Sequence, residues 1–114
     1  MATLMNSRQQ ILLPHLRIAD GMFTRMRGLL GTQDLPSDTG LWLNPGNSIH
    51  TFFMNYSIDC IFVDKKLKVK ALVYDVQPGR LIWPVRGARS VIEVKAGVLQ
   101  ALRLQVGDEL HVGT

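Results

Sequence analysis

Apolar and polar positions in this chain alternate in short bursts, separated by turns that carry glycine and proline. Alternation over about four to eight residues is the mark of half-buried strands. Gln10 to Ile18 carries Ile11, Leu12, Leu13, Leu16 and Ile18, broken by Pro14. Proline removes a ladder donor, so the run reads as an edge strand, or as two short strands with a bend, with His15 and Arg17 outward. From Ala19 the period lengthens. Met22, Phe23, Met26, Leu29 and Leu30 recur at helical spacing, with Asp20 as N-cap and Gly31 as the C-terminal stop.

Beyond a loop from Thr32 to Gly46, strand character returns. Gly40 to Leu43 is a short strand, and Asn44-Pro45-Gly46 suits a type II turn with Pro45 and Gly46 central. Ser48 to Asn55 reads as a strand with Ile49, Thr51 and Phe53 on one face and His50, Phe52 and Met54 on the other. Ile58 to Val63 resumes it, Asp59, Ile61 and Val63 opposing Ile58, Cys60 and Phe62. A tight turn at Asp64-Lys65 returns the chain, with Leu67, Val69, Ala71 and Val73 as the apolar face. Lys66, Lys68 and Lys70 form the wet face, an arrangement that protects a sheet edge. Leu81 to Trp83, Val91 to Val94 and Glu109 to Val112 are further strands, and Ala96-Gly97 opens a second short helix. The fold class is α+β, mostly β: a compact strand-rich sandwich or partly open barrel with two short helices.

Composition narrows this only a little. A chain of 114 residues with 46% hydrophobic and 19% charged residues is a single domain, residues 1–114, able to bury a core without disulfides or metals. One cysteine forms no internal disulfide, so nothing asks for an oxidising compartment. The first residues lack a basic segment followed by a long apolar stretch, and no apolar run approaches the roughly 20 residues of a membrane span. A cytoplasmic protein without a signal peptide is the expectation. Net charge is +4 and the pI near 9.6, which permits an anionic partner without requiring one. Nucleic-acid contact would need Lys66, Lys68, Lys70, Arg86 and Arg89 on one continuous surface, and the reading is against it.

Candidate chemistry concentrates between Ser48 and Lys70, where polar groups interrupt apolar runs. Asp59, between Ile58 and Cys60, is expected to be buried, and a buried carboxylate needs a cation or several donors. Arg25, or the backbone amides of a helix start, would serve. The candidate set is Arg25, His50, Thr51, Asn55, Asp59 and Glu93. An enzyme would use His50 and Asp59 as an acid–base pair. A structural reading, with Asp59 braced and His50 satisfied within the fold, is favoured over catalysis. Cys60 reads as a small buried apolar residue. His15, His50, His111 and Cys60 show no ligand spacing, so no metal is expected. With no phosphate-binding glycine loop or nucleophile elbow, no cofactor is expected either.

Taken in order, Arg25-Met26-Arg27-Gly28-Leu29-Leu30, Gly40-Leu41-Trp42-Leu43, Ile49-His50-Thr51-Phe52-Phe53-Met54, Ile58-Asp59-Cys60-Ile61-Phe62-Val63-Asp64, Val91-Ile92-Glu93-Val94-Lys95-Ala96-Gly97 and Val106-Gly107-Asp108 resemble the domain-of-unknown-function family 192. The resemblance runs from about Leu12 onward. It departs at Leu30, where methionine is frequent, and at Asn55-Tyr56-Ser57. It implies a compact, strand-rich α+β domain of bacterial or archaeal origin, sometimes exported, with no general activity established. The functional expectation is a binding or accessory module with an unknown partner, and the alternative is the His50–Asp59 enzyme.

Overall fold

A computed structural model describes residues 2–19, 35–51 and 54–113. The described strands are β1 (Ala2–Asn6), β2 (Ile11–Ala19), β3 (Thr39–Leu43), β4 (Ile49–His50), β5 (Ile58–Val63), β6 (Val69–Val76), β7 (Leu81–Ile82), β8 (Ser90–Lys95) and β9 (Leu110–Gly113). One short helix, α1 (Val98–Leu102), lies between β8 and β9. Seven strands form one sheet in the order β6-β5-β8-β3-β2-β1-β9, and β4 pairs with β7 in a second, two-stranded sheet. The helix expected between Asp20 and Gly31 lies outside the described residues.

The large sheet curls until its two edges meet. Lys68 bridges Glu109, the Val69 and Leu110 amides donate to Asp108 and Leu67 carbonyls at 2.8 and 2.9 Å, and Gly107 donates back to Val69 at 2.8 Å. These bonds satisfy part of the backbone that two sheet edges would otherwise expose. The result is a mostly β half-barrel, in agreement with the partly open barrel expected from the strand pattern.

Alternation decides which side each residue faces. In β5 every residue is buried: Ile61 and Val63 join Leu4, Leu13, Leu16, Ile92, Val94 and Leu99 of α1 on one side. Ile58, Cys60 and Phe62 join Leu41, Leu43, Ile49, Met54 and Val91 on the other. A strand apolar on both faces belongs in the middle of a covered sheet.

Several expectations are corrected. β2 is a single strand inside the sheet, antiparallel to β1 and parallel to β3, and not an edge. It accommodates Pro14 because β1 advances two positions, Ala2 to Leu4, while β2 advances three, Leu16 to Leu13. The extra residue is a bulge, a place where a missing ladder donor does little harm. Thr3 bonds the Pro14 carbonyl there at 3.3 Å. The short β1 itself is absent from the sequence reading.

The hairpin after β5 turns later than Asp64-Lys65. The Asp64 side chain accepts the amides of Lys66 at 2.8 Å and Lys68 at 2.9 Å, and Leu67 takes a left-handed φ of 64° inside the loop. Leu67 to Val73 is also not one apolar face. Val63 pairs with Val69 and Phe62 with Ala71, so the extra residue Lys70 flips the facing of the strand. Val69 joins the α1 side, and Ala71 and Val73 pack on the opposite side. Lys66, Lys68 and Lys70 are exposed, as expected of a wet face on the edge strand β6. Gly46 lacks the positive φ that its position in a type II turn requires, so the turn there is not type II.

Candidate functional site

Asp59 is the buried carboxylate that its sequence setting predicts, at 1% exposure. Its partners among the described residues are three backbone amides. Oδ1 accepts Asp75 N–H at 2.8 Å, and Oδ2 accepts Gly97 N–H at 2.9 Å and Leu99 N–H at 3.1 Å. Each amide is presented by local geometry. Asp75 lies at a second bulge of β6, between the Cys60–Val73 and Ile58–Val76 pairs, with a φ of 52°. Gly97, at φ 96°, is the N-cap of α1 and has no side chain to cap with. Asp59 reaches across from β5 and supplies that cap, placing negative charge where the first-turn amides point. Of the two partners expected for Asp59, the helix start is present, and Arg25 lies outside the described residues.

Glu93 is also buried, at 1% exposure, but on the other side of the sheet. It pairs across the ladder with Cys60 and Leu41, while Asp59 pairs with Val94. Paired residues share a face and neighbours along a strand do not, so the sheet separates the two carboxyl groups. Burial pushes the Cys60 thiol well above its ordinary pKa, and the nearby Glu93 and Asp59 push it further. A thiol so held carries little of the thiolate that nucleophilic attack needs.

Thr51 is fully buried and acts as a staple. Its hydroxyl donates to the Gln77 carbonyl at 2.6 Å and accepts Arg80 N–H at 2.8 Å. Its own amide donates to the Arg80 carbonyl at 2.8 Å, and its carbonyl accepts Gly79 N–H at 2.9 Å. The loop before β7 is thereby fixed to the end of β4. His50 belongs to β4, opposite Leu81, and its side chain is exposed. Asn55 is exposed on a bend. Among the described residues of the longer Ser48–Asn55 strand, Ile49–His50 are the regular ones, and Phe52 and Phe53 lie outside the described residues.

The five candidates among the described residues therefore divide. Asp59 and Glu93 lie on opposite sides of the large sheet, Thr51 and His50 are attached to the small one, and Asn55 is at the surface. Among the described residues no three His, Cys, Asp or Glu side chains converge as metal ligands do, and no helix is long and apolar enough to cross a membrane.

Sequence reasoning missed the concavity at one end of the half-barrel, about 350 Å³, where Arg8, Arg103, Asp108 and Glu109 meet. Residues a hundred positions apart leave no spacing signal for such a site. The one cue is the Gly107-Asp108 turn, which shapes one wall.

These features define a class: a strand-rich α+β half-barrel in which Asp59 and Thr51 hold the chain's own backbone. The chain belongs to the family DUF192, described as "Uncharacterized ACR", whose pattern it matches over residues 3–112. No activity is established for that family. A UPF0127 protein from Thermococcus sibiricus is 40% identical over 103 residues, covering 83% of this chain and 64% of that protein, so the chain spans just under two thirds of that relative. A UPF0127 protein from Pyrococcus furiosus is 31% identical and covers 84% of each. Two solved structures share the fold at 18% identity. One, from Sinorhizobium meliloti, is described as a candidate transcription regulator, with a TM-score of 0.80 over 97% of this chain and 91% of that one. The other, a protein of unknown function from Novosphingobium aromaticivorans, has a TM-score of 0.78 over 96% and 82%.

Proposed function

We propose that this domain is a binding or accessory module and not a hydrolytic enzyme. The observation that supports this best is the state of Asp59. An acid–base partner for His50 must exchange protons with a substrate, and Asp59 is sealed from solvent with both oxygens engaged by backbone amides. His50, by contrast, is exposed on the other sheet. The acid–base alternative is accordingly not favoured.

Nucleic acid is not the partner in this reading. Lys70 lies beside the Arg86–Arg89 turn, where a methyl added at Gly87 would sit 3.7 Å from its Cε. That brings basic groups together, but an acid interrupts them: Lys70 is 3.8 Å from Asp64. A phosphate-tracking surface has no use for carboxylates placed among its cations. The 18%-identical candidate transcription regulator supports the fold and adds nothing on a ligand. A cytoplasmic setting completes the reading, in keeping with a single buried free thiol.

The test is a turnover screen with generic esters, phosphoesters and glycosides. The expected result is no hydrolysis that depends on His50. Reproducible turnover abolished by His50→Ala would overturn the reading.

A further inference from the structure

The concave end of the half-barrel lies between the β1–β2 turn and the segment leading from α1 into β9, and it offers about 350 Å³ open to solvent. Its walls are fixed by local bonds. Asn6 Oδ1 accepts the amides of Arg8 at 2.9 Å and Gln10 at 3.0 Å, and Asn6 Nδ2 donates to Gln10 Oε1 at 2.8 Å. Opposite, Asp108 Oδ2 accepts Gln105 N–H at 2.9 Å, and Gly107 is tied to Val69. Buried Leu104 and Leu110 complete the lining with apolar surface. A preformed site loses little on ordering when it binds.

Two cations, Arg8 and Arg103, and two anions, Asp108 and Glu109, line this cleft. None of the four has an ion-pair partner within 4.0 Å among the described residues. Opposite charges that line one cleft without pairing to each other are complementary to a ligand bearing both charges. A simple anion would meet the two carboxylates, and a simple cation the two guanidiniums. A dipolar head group avoids both conflicts, because guanidinium forks suit a carboxylate and carboxylates suit an ammonium.

We propose that the cleft binds a small zwitterion of the α-amino-acid type, its carboxylate on Arg8 and Arg103 and its ammonium on Glu109 and Asp108. The proposal deepens the binding-module reading with a ligand class. Neither His50 nor Asp59 lines the cleft, so the turnover screen and the test below fail separately.

The test is a titration of the isotopically labelled protein followed by amide resonances. The probes are free α-amino acids, dipeptides, and amino acids blocked as N-acetyl or carboxamide forms, with sodium acetate as a simple anion. Saturable shifts confined to residues 6–10 and 103–110 are expected for the free zwitterion and not for either blocked form. The dipeptide arm distinguishes a free amino acid from a short peptide as the source of the head groups. Arg103→Gln and Glu109→Gln should each weaken binding by about tenfold without changing the melting temperature. No shift with any zwitterion, equal response to blocked forms or acetate, or binding unchanged in both variants would overturn the proposal.

Discussion

The Leu99 amide donates to Asp59 Oδ2 at 3.1 Å across forty positions of sequence, coupling the start of α1 to the middle of β5. With Gly97 on the same oxygen and Asp75 on the other, one side chain fixes a helix start and a strand bulge together. Alanine at 59 would leave the buried Leu99 amide and the part-buried Asp75 and Gly97 amides with no acceptor, and each buried unsatisfied donor costs about 1–3 kcal/mol. Asp59→Ala should therefore destabilise the domain by about 3–5 kcal/mol, measured by chemical denaturation. Asp59→Asn, which keeps one acceptor oxygen but turns an NH₂ toward an amide, should lose less. A midpoint unchanged in the alanine variant would place the site in solvent and end the argument.

Gly40 is required for room and not for backbone conformation. It pairs with Leu16 and Val94 on adjacent strands, and a β-carbon there would come 2.7 Å from Leu13 Cδ1 and 3.3 Å from Leu16 and Ile92. Leu13, Leu16 and Ile92 are at most 1% exposed, so the contact cannot swing into water. Gly40→Ala should cost about 1–3 kcal/mol by overpacking. Combined with Leu13→Ala, which opens space at that point, the two losses should sum to less than their separate values. Strict additivity in the double-mutant cycle would show that the clash relaxes elsewhere.

The strands that hold this glycine were readable where burial alternates cleanly, and hidden where a bulge intervenes. Ile58 to Val63 was placed with the correct residues on each face because its alternation is unbroken. Lys70 looked like one more wet position, yet as a bulge residue it reverses the facing of Val69 and Ala71, which a period-two pattern cannot show. Pro14 suggested an edge because its missing donor is legible, whereas the bulge that absorbs it depends on β1. At the candidate site, burial of Asp59 followed from its apolar neighbours. Its donors did not, since they are backbone amides brought near by tertiary folding and backbone amides leave no residue-type signature.

Asp64 sets a pH dependence of the β5–β6 loop. The Lys68 amide above all holds its carboxyl below the ordinary value of 3.8; desolvation, the next effect in size, opposes it, and the Lys66 amide and the ammonium groups of Lys70 and Lys68 add to the lowering. A group whose folded pKa is depressed stabilises the fold above its unfolded pKa and loses that contribution as pH falls through the folded value. Wild type should thus exceed Asp64→Asn in stability at neutral pH, and the gap should close as pH falls below about 4. Urea midpoints of both proteins across that range provide the measurement. A gap that is constant with pH would remove Asp64 as the titrating group.

Cys60 should be chemically silent while the domain is folded. It is fully buried, and its pKa is raised first by burial and then by Glu93 and Asp59, so the thiolate that alkylating reagents need is scarce even above neutral pH. Access requires β5 to separate from β6 or β8, its partners on either side in the sheet. Labelling by iodoacetamide should therefore follow the rate or population of opening and rise with denaturant. Asp59→Ala, by weakening that sheet region and removing one of the nearby carboxylates, should accelerate it. Rapid stoichiometric labelling of the native wild-type protein would contradict both the burial and the electrostatic argument, and a rate unaffected by Asp59→Ala would separate Cys60 from the clamp.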